Sequence, residues 1–143
     1  MRVVLDTNVL VAGLMSRNGA SHQILRGIAH DIVDFTISVP LFLEYEAVLK
    51  RPTLARQTGL SPMDVDMILD LIAARGHHAP LDFMWRPQLR DADDEMVLEA
   101  ATNGGADAIV TFNQRDFLPA ATTFGVRILT PGDYLPNLKG ISR

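Results

Sequence analysis

Short apolar runs rich in β-branched residues alternate along this chain with longer segments of helical periodicity, and that alternation leaves few folds open. Val3-Val4-Leu5 reads as a buried strand, Phe35-Thr36-Ile37-Ser38-Val39 as a second, Ala108-Ile109-Val110-Thr111 as a third and Arg127-Ile128-Leu129-Thr130 as a fourth. A weaker strand is expected near residues 77–81. Between the strands, helix starts carry their own chemistry. Pro40 opens a helix that runs to about Arg51, where Pro52 stops it. Ser61-Pro62-Met63-Asp64 combines an N-cap, a proline at the first helical position and an acid at the third, followed by an apolar stripe of Met67, Ile68, Leu71 and Ile72 and a stop at Gly76. Asp91 caps a third helix that reaches Asn103 and ends at Gly104-Gly105. Strands separated by helices are joined by right-handed crossovers, so the expected architecture is an α/β three-layer sandwich, a mainly parallel sheet flanked by helices. Ligand sites in such sheets form beyond the carboxyl ends of the strands. That rule directs attention to Asp6, just after the first strand, and to Phe112-Asn113, just after the third.

Composition narrows the chemistry. With 143 residues, 48% of them hydrophobic, the chain is expected to form one domain spanning residues 1–143. It contains no cysteine, which excludes disulfides and thiolate zinc sites. Its longest apolar runs fall well short of the roughly 20 residues that a membrane crossing needs, and the Met-Arg start resembles no targeting signal. The expectation is a cytoplasmic protein with no membrane association. A formal charge of -4 speaks against a broad basic nucleic-acid surface. Yet if Asp6, Glu44, Asp94 and Asp116 share one pocket, the remainder of the chain is formally neutral.

Each of those acids has two readings. Asp6 can cap the helix that begins near Val9 or ligate a metal. Glu44 lies in a helical stripe with Leu41, Ala47 and Val48, where an interior carboxylate must be metal-bound or paired with an arginine; Glu46 is expected to be solvated. The acids of Asp91-Ala92-Asp93-Asp94-Glu95 suit a helix start without any function. Of these, Asp94 shares a face with Val97, Leu98 and Ala101 and is expected to point inward, with Asp93 and Glu95 pointing to solvent. Asn113 and Asp116 are common turn and cap residues, and Thr111 is a strand-end hydroxyl able to position water or ligand. Carboxylates gathered at strand ends repel one another, and a hard divalent cation resolves the repulsion. Oxygen-only ligation suits Mg2+ or Mn2+, ions that activate water for phosphodiester hydrolysis.

These pieces, in this order and spacing, resemble the PIN-domain family, in particular its bacterial and archaeal toxin branch, the VapC-like ribonucleases. The resemblance rests on Leu5-Asp6-Thr7-Asn8-Val9, Glu44, Asp91-Ala92-Asp93-Asp94 with Val97 and Ala100-Ala101, and Val110-Thr111-Phe112-Asn113 with Asp116-Phe117. It implies a parallel sheet between helices and metal-dependent endonucleolytic cleavage of RNA. By the resemblance Asp6, Glu44 and Asp94 match the family's metal-binding acids. Asn113 stands where a further acid is common, with Asp116 as its substitute, and Asn8, Asp91 and Thr111 match polar positions nearby. Asp6, Asp94 and Asp116 would then hold one or two ions, with Glu44 completing the shell or orienting water. An antitoxin protein partner and a homodimer follow from the same resemblance.

RNA contacts are harder to place. Lys50, Arg51, Arg56, Arg86, Arg90 and Arg115 are candidates against a background of solubilising surface charge, while Phe83 and Trp85 can stack on a base or fill an interface. His77-His78 reads first as a surface or strand-end pair and second as a metal site. A dehalogenase-type phosphatase would need an acid where Asn8 stands, and no phosphate-binding Gly-x-x-x-x-Gly-Lys loop occurs. The remaining alternative is a catalytically silent member of the same fold that binds RNA or a protein.

Overall fold

The computed structural model describes residues 1–80, 89 and 91–138. Within them the chain runs β1 (Val3–Leu5), α1 (Thr7–Met15), α2 (Ala20–Ala29), β2 (Thr36–Ile37), α3 (Val39–Leu49), α4 (Pro52–Thr58) and α5 (Pro62–Arg75). It continues with β3 (His77–His78), α6 (Ala92–Asn103), β4 (Ala108–Val110), α7 (Gln114–Phe124), β5 (Arg127–Leu129) and α8 (Pro131–Tyr134), and closes on a 3-10 turn at Leu135–Asn137.

All strand pairs are parallel. β4 lies between β1 and β5, and β2 pairs with β3. A bridge from Val3 to Phe35, with the Val3 N–H donating to the Asp34 carbonyl at 3.0 Å, sets β2 beside β1. The spatial order is therefore β3-β2-β1-β4-β5. Right-handed crossovers on a sheet of this order put α1 to α5 on one face and α6 and α7 on the other. The packing agrees: α6 lies on β1, β2 and β4 beside α7, whereas α2 packs with α1, α5 and α8. The two layers touch where α3 meets α6.

Strands covered on both faces need apolar side chains at every position, which is why these runs show no alternation. Val3, Val4, Leu5, Ala108, Ile109 and Val110 are all buried, each contributing about 1.5–3 kcal/mol on leaving water if it is a full-sized aliphatic. Two local devices fix the helices that matter most. Tyr45 is buried in α3 and its hydroxyl donates to the Leu5 carbonyl, tying α3 to the end of β1. At Gly13 an added Cβ would stand 2.6 Å from Leu25 Cδ1 and 2.9 Å from the Ser21 carbonyl oxygen, so only glycine lets α2 approach α1 this closely.

Several boundaries differ from the sequence expectation, each for a local reason. The second strand stops at Ile37 because the Ser38 hydroxyl accepts the Leu41 N–H at 3.2 Å, drawing Val39 into the first turn of α3. Pro52 does end α3, but it also opens α4, a helix that the sequence reading lacks. Ser61 and Asp64 form the expected reciprocal cap, with Ser61 N–H to Asp64 Oδ2 at 2.9 Å and Asp64 N–H to Ser61 Oγ at 3.1 Å. The buried stripe of α5 is nevertheless Val65, Leu69 and Ile72, and Met67 is 65% exposed. Thr111 and Thr130 fall just past their strands, Thr130 capping α8. The weak strand is β3, and Leu81 lies outside the described residues.

Candidate active site

From β1 the chain travels outward to β2 and β3, and from β4 it travels the other way to β5. Helices leaving such a pair of strands diverge, and a crevice opens beyond the carboxyl ends. Asp6 and Thr111 are the first residues past those two ends. The Asp6 N–H donates to the Val110 carbonyl at 2.9 Å, and the Thr111 hydroxyl donates to Asp6 Oδ2 at 2.7 Å. The same hydroxyl oxygen accepts the Asn113 N–H at 2.9 Å. Asp6 does hold the N-cap position of α1, but its side chain makes no capping hydrogen bond there. Its carboxylate is instead oriented by Thr111.

A cleft of about 390 Å³ lies over this junction. Its described walls are Asp6, Thr7 and Asn8 from β1 and α1, Glu44 and Val48 from α3, Arg51 from the α3–α4 turn, Asp91, Asp93 and Asp94 from the start of α6, and Asn113 ahead of α7, with Val11 and Ala12 between. The meeting of α3 with α6 is what sets Glu44 against the Asp91–Asp94 turn. Asp91 caps α6, its Oδ1 accepting the Asp93 N–H at 2.9 Å.

The acids influence one another. Asp94 is pushed up to about 6, first by burial and then by the charges of Asp6, Asp91, Asp116 and Asp93. Burial also raises Asp6, against the opposing pull of the Thr111 hydroxyl and the Thr7 and Asn8 amides, and Asp116 raises it further. Glu44 is raised by burial and then by Asp93, with Arg51 opposing and Asp91 and Asp6 adding smaller increments. Asn8 Oδ1 is buried without a hydrogen-bond partner among the described residues. An orphaned amide oxygen beside carboxylates in an all-oxygen donor set suits a hard divalent cation by charge and chemistry. Among the described residues no three Asp, Glu or His side chains already converge into a ligand set. The match is thus one of donor type and charge rather than of closed geometry.

Two expectations need correction, one at Glu95 and one in α3. Glu95 is not solvated: it is 3% exposed, and its Oε1 accepts the Leu89 N–H at 2.6 Å. Asp93 is exposed as expected, yet it stands on the cleft wall facing Glu44. In α3 the buried stripe is Leu41, Tyr45 and Leu49, so Ala47 is exposed and Glu44 sits on a shoulder rather than in the interior. Asp116 lies exposed in the first turn of α7; its charge reaches Asp6 and Asp94, but Asn113 is the residue on the wall. Of the basic candidates, Arg51 lines the cleft, whereas Lys50 is held by Glu46 and Asp66 at 3.3 Å each. Arg56 and Arg115 are exposed and not on the wall, and Phe83, Trp85, Arg86 and Arg90 lie outside the described residues. His77 pairs with Asp34 at 3.0 Å on β3, and neither it nor His78 lines the cleft. Thr7 was not singled out by its sequence, although adjacency to Asp6 marks it.

Among the described residues no helix is long and apolar enough to cross a membrane. A family model described as PIN domain matches residues 2–115 of the chain. Its span takes in Asp6, Glu44, Asp94 and Asn113 and ends just before Asp116. No curated protein matches the chain.

Proposed function

The chain belongs to the PIN-domain family, whose members are typically nucleases, and on that premise we propose that it is an endoribonuclease that works with Mg2+ or Mn2+. The observation that carries this reading is the convergence of Asp6, Glu44 and Asp94, from three distant segments, on one cleft at the carboxyl ends of β1 and β4. Asp6, Asp94 and Asp116 would hold the ion, with Asn8 Oδ1 and Asn113 beside it. When bound, it would supply charge neutralisation at the phosphate and a more acidic water.

The chain's own groups do the rest. Thr111 fixes the direction of Asp6 through its hydrogen bond. Glu44, whose carboxyl is raised above its ordinary value, either accepts a proton from the attacking water or completes the ligand shell. Hydrolysis forms a bond from the water oxygen to phosphorus and breaks the bond from phosphorus to the ribose 3'-oxygen, which takes up a proton. The products are a 5'-phosphate and a 3'-hydroxyl. The proposal extends to a cytoplasmic toxin of a toxin–antitoxin pair, a single PIN-like domain that forms a homodimer and is held in check by an antitoxin protein. The resemblance of its motifs to that branch supports this part.

A second reading, a silent module of the same fold that binds RNA or a protein, is favoured by a ligand geometry that is not closed among the described residues. Incubating the purified protein and its Asp6→Asn variant with a panel of structured RNAs in Mg2+, Mn2+ or chelator separates the two. Cleavage by the wild type in metal, lost in chelator and reduced at least 100-fold or so in Asp6→Asn, is expected, since removing one essential charge-stabilising group costs about 10²–10³. Undiminished cleavage by the folded variant would refute the assignment, and wild-type protein that binds RNA but never cuts it would favour the silent module.

A further inference from the structure

A cleft walled by five carboxylates repels the polyanion it is proposed to cut, so something on its wall has to attract phosphate. Among the described lining residues Arg51 is the one permanent cation. Its neighbour Lys50 is tied to Glu46 and Asp66, but Arg51 forms no salt bridge among the described residues. Arg51 is exposed on the cleft wall, where its guanidinium is open to a ligand.

The backbone beneath it is fixed. The Arg51 N–H donates to the Val48 carbonyl at 3.2 Å, and the Arg51 carbonyl accepts from Leu54 at 3.1 Å and Ala55 at 3.2 Å. Pro52 further restricts the residue before it to extended conformations, and Arg51 is found at φ -64 and ψ 133. A guanidinium swung from a fixed root loses less freedom on binding than one on a mobile loop, and its planar fork matches two phosphate oxygens at once.

Position says which phosphate. Arg51 follows α3 directly and lines the cleft together with Glu44 and Val48 of that helix, whereas Asp6 lies past the end of β1 and Asp94 in the first turn of α6. Arg51 thus stands on the α3 side of the cleft, away from the acids over the strand ends. Building on the ribonuclease reading of this cleft, we propose that Arg51 is a substrate-binding residue that grips an RNA phosphate flanking the scissile one, holding the strand in register over Asp6 and Asp94. The competing role is that Arg51 merely offsets the charge of Glu44.

A fluorescein-labelled oligouridylate bound in chelator, followed by anisotropy between about 50 and 200 mM salt, tests the grip apart from turnover. Arg51→Gln is expected to bind on the order of tenfold more weakly, the equivalent of one charge-assisted contact. It should also flatten the salt dependence by about 0.7 in log–log slope, the value for one phosphate contact on a single strand. Arg51→Lys should keep the slope and lose part of the affinity, and Lys50→Gln should match the wild type. In Mn2+, Arg51→Gln should raise KM by a similar factor and leave kcat within about twofold, because a flanking phosphate is held equally in ground and transition states. Unchanged binding in folded Arg51→Gln, an equal loss in Lys50→Gln, or a fall in kcat at constant KM would overturn the proposal, the last in favour of a role through Glu44. Wild-type protein that neither binds nor cuts RNA would sink the ribonuclease reading and this one with it, whereas failure confined to the Arg51 comparison leaves that reading standing.

Discussion

Two recesses of about 390 Å³ each lie among the described residues, and they are built on opposite principles. One lies among α1, α2, α4 and α5, walled by Leu14, Leu25, Ile28, Leu60, Ile68, Leu71 and Ile72, with Arg17, His22 and Arg26 as its basic members and no acid among its described lining. The other lies over β1 and β4 and carries five carboxylates on its wall, Asp6, Glu44, Asp91, Asp93 and Asp94. Volume does not separate them. Charge does: the apolar recess has no acid among its described lining, while in the acidic cleft Asp6, Glu44 and Asp94 are all raised by burial and by the charges of neighbouring carboxylates. The first is a packing seam whose walls stabilise the fold. The second holds unneutralised repulsion, which destabilises the metal-free fold and gives a cation something to relieve.

If that division is right, damage to the apolar recess should be large and purely structural. Ile72 is 2% exposed and anchors α5 against the recess, so Ile72→Ala is expected to remove about 2–5 kcal/mol. For a chain of this size that lowers Tm by roughly 10 °C, as scanning calorimetry would read. Cleavage measured well below the transition should be unaltered. Loss of cleavage in protein still folded by circular dichroism would break the comparison, for it would couple the two recesses.

Metal should act on the acidic cleft alone. At about 100 times its dissociation constant a bound ion adds about 2.7 kcal/mol, so Mn2+ should raise Tm by roughly 5–10 °C. Ile72→Ala should show the same increment from its lower base, and Asp94→Asn a much smaller one. An equal increment in Asp94→Asn would mean that the ion binds elsewhere.

The two regions also differ in how far their sequence exposes them. Asp6 and Thr111 were legible because a strand that ends in a polar residue at a sheet's carboxyl edge has few other places to go. The order of strands, which makes that edge a switch point, depends on pairings such as Val3 with Phe35 that no local pattern encodes. Helical periodicity misled at Glu95 because α6 has no free face. It crosses the sheet from β3 to β4 in contact with β1, β2, α3 and α7, so Glu95 and Glu99 are buried along with Val97 and Leu98. In α3 the wheel was rotated by one step: Tyr45, bonded to the Leu5 carbonyl, takes the interior position and leaves Glu44 on the shoulder. That small rotation is what puts Glu44 in the cleft rather than in the core. The choice of Asp116 in place of Asn113 came from the resemblance of the stretch that begins at Thr111 to a family motif, and a motif does not say which side chain of a helical turn lines a wall. The apolar recess was not foreseen at all, since gaps between well-formed helices arise from side-chain volumes rather than from pattern.

The smallest expected effect is the most direct measure of the stored repulsion. Burial and the neighbouring acids push Asp94 up to about 6 from its ordinary 3.8. Below about 3.8 the carboxyl is protonated in folded and unfolded chains alike, and no penalty applies. Between the two values the unfolded chain ionises first, and above 6 both are ionised with the folded chain bearing the cost. Raised pKa therefore means that stability falls as pH rises across this window and levels off above it; the raised Asp6 acts in the same direction. The capping carboxyl of Asp64, lowered by its bonds to Ser61, acts the other way, its stabilisation being lost as pH falls, so the wild-type profile alone mixes opposite signs. The difference between wild type and Asp94→Asn in chelator isolates the cleft. The variant should melt on the order of 2–4 °C higher at pH 7, an effect damped by solvent because Asp94 is only partly buried, and the gap should close as pH falls toward 4. Ile72→Ala, which removes no charge, should instead carry the same deficit at every pH. A gap for Asp94→Asn that ignores pH, or a variant less stable than the wild type at pH 7, would place Asp94 among ordinary helix-capping acids and remove the contrast between the two recesses.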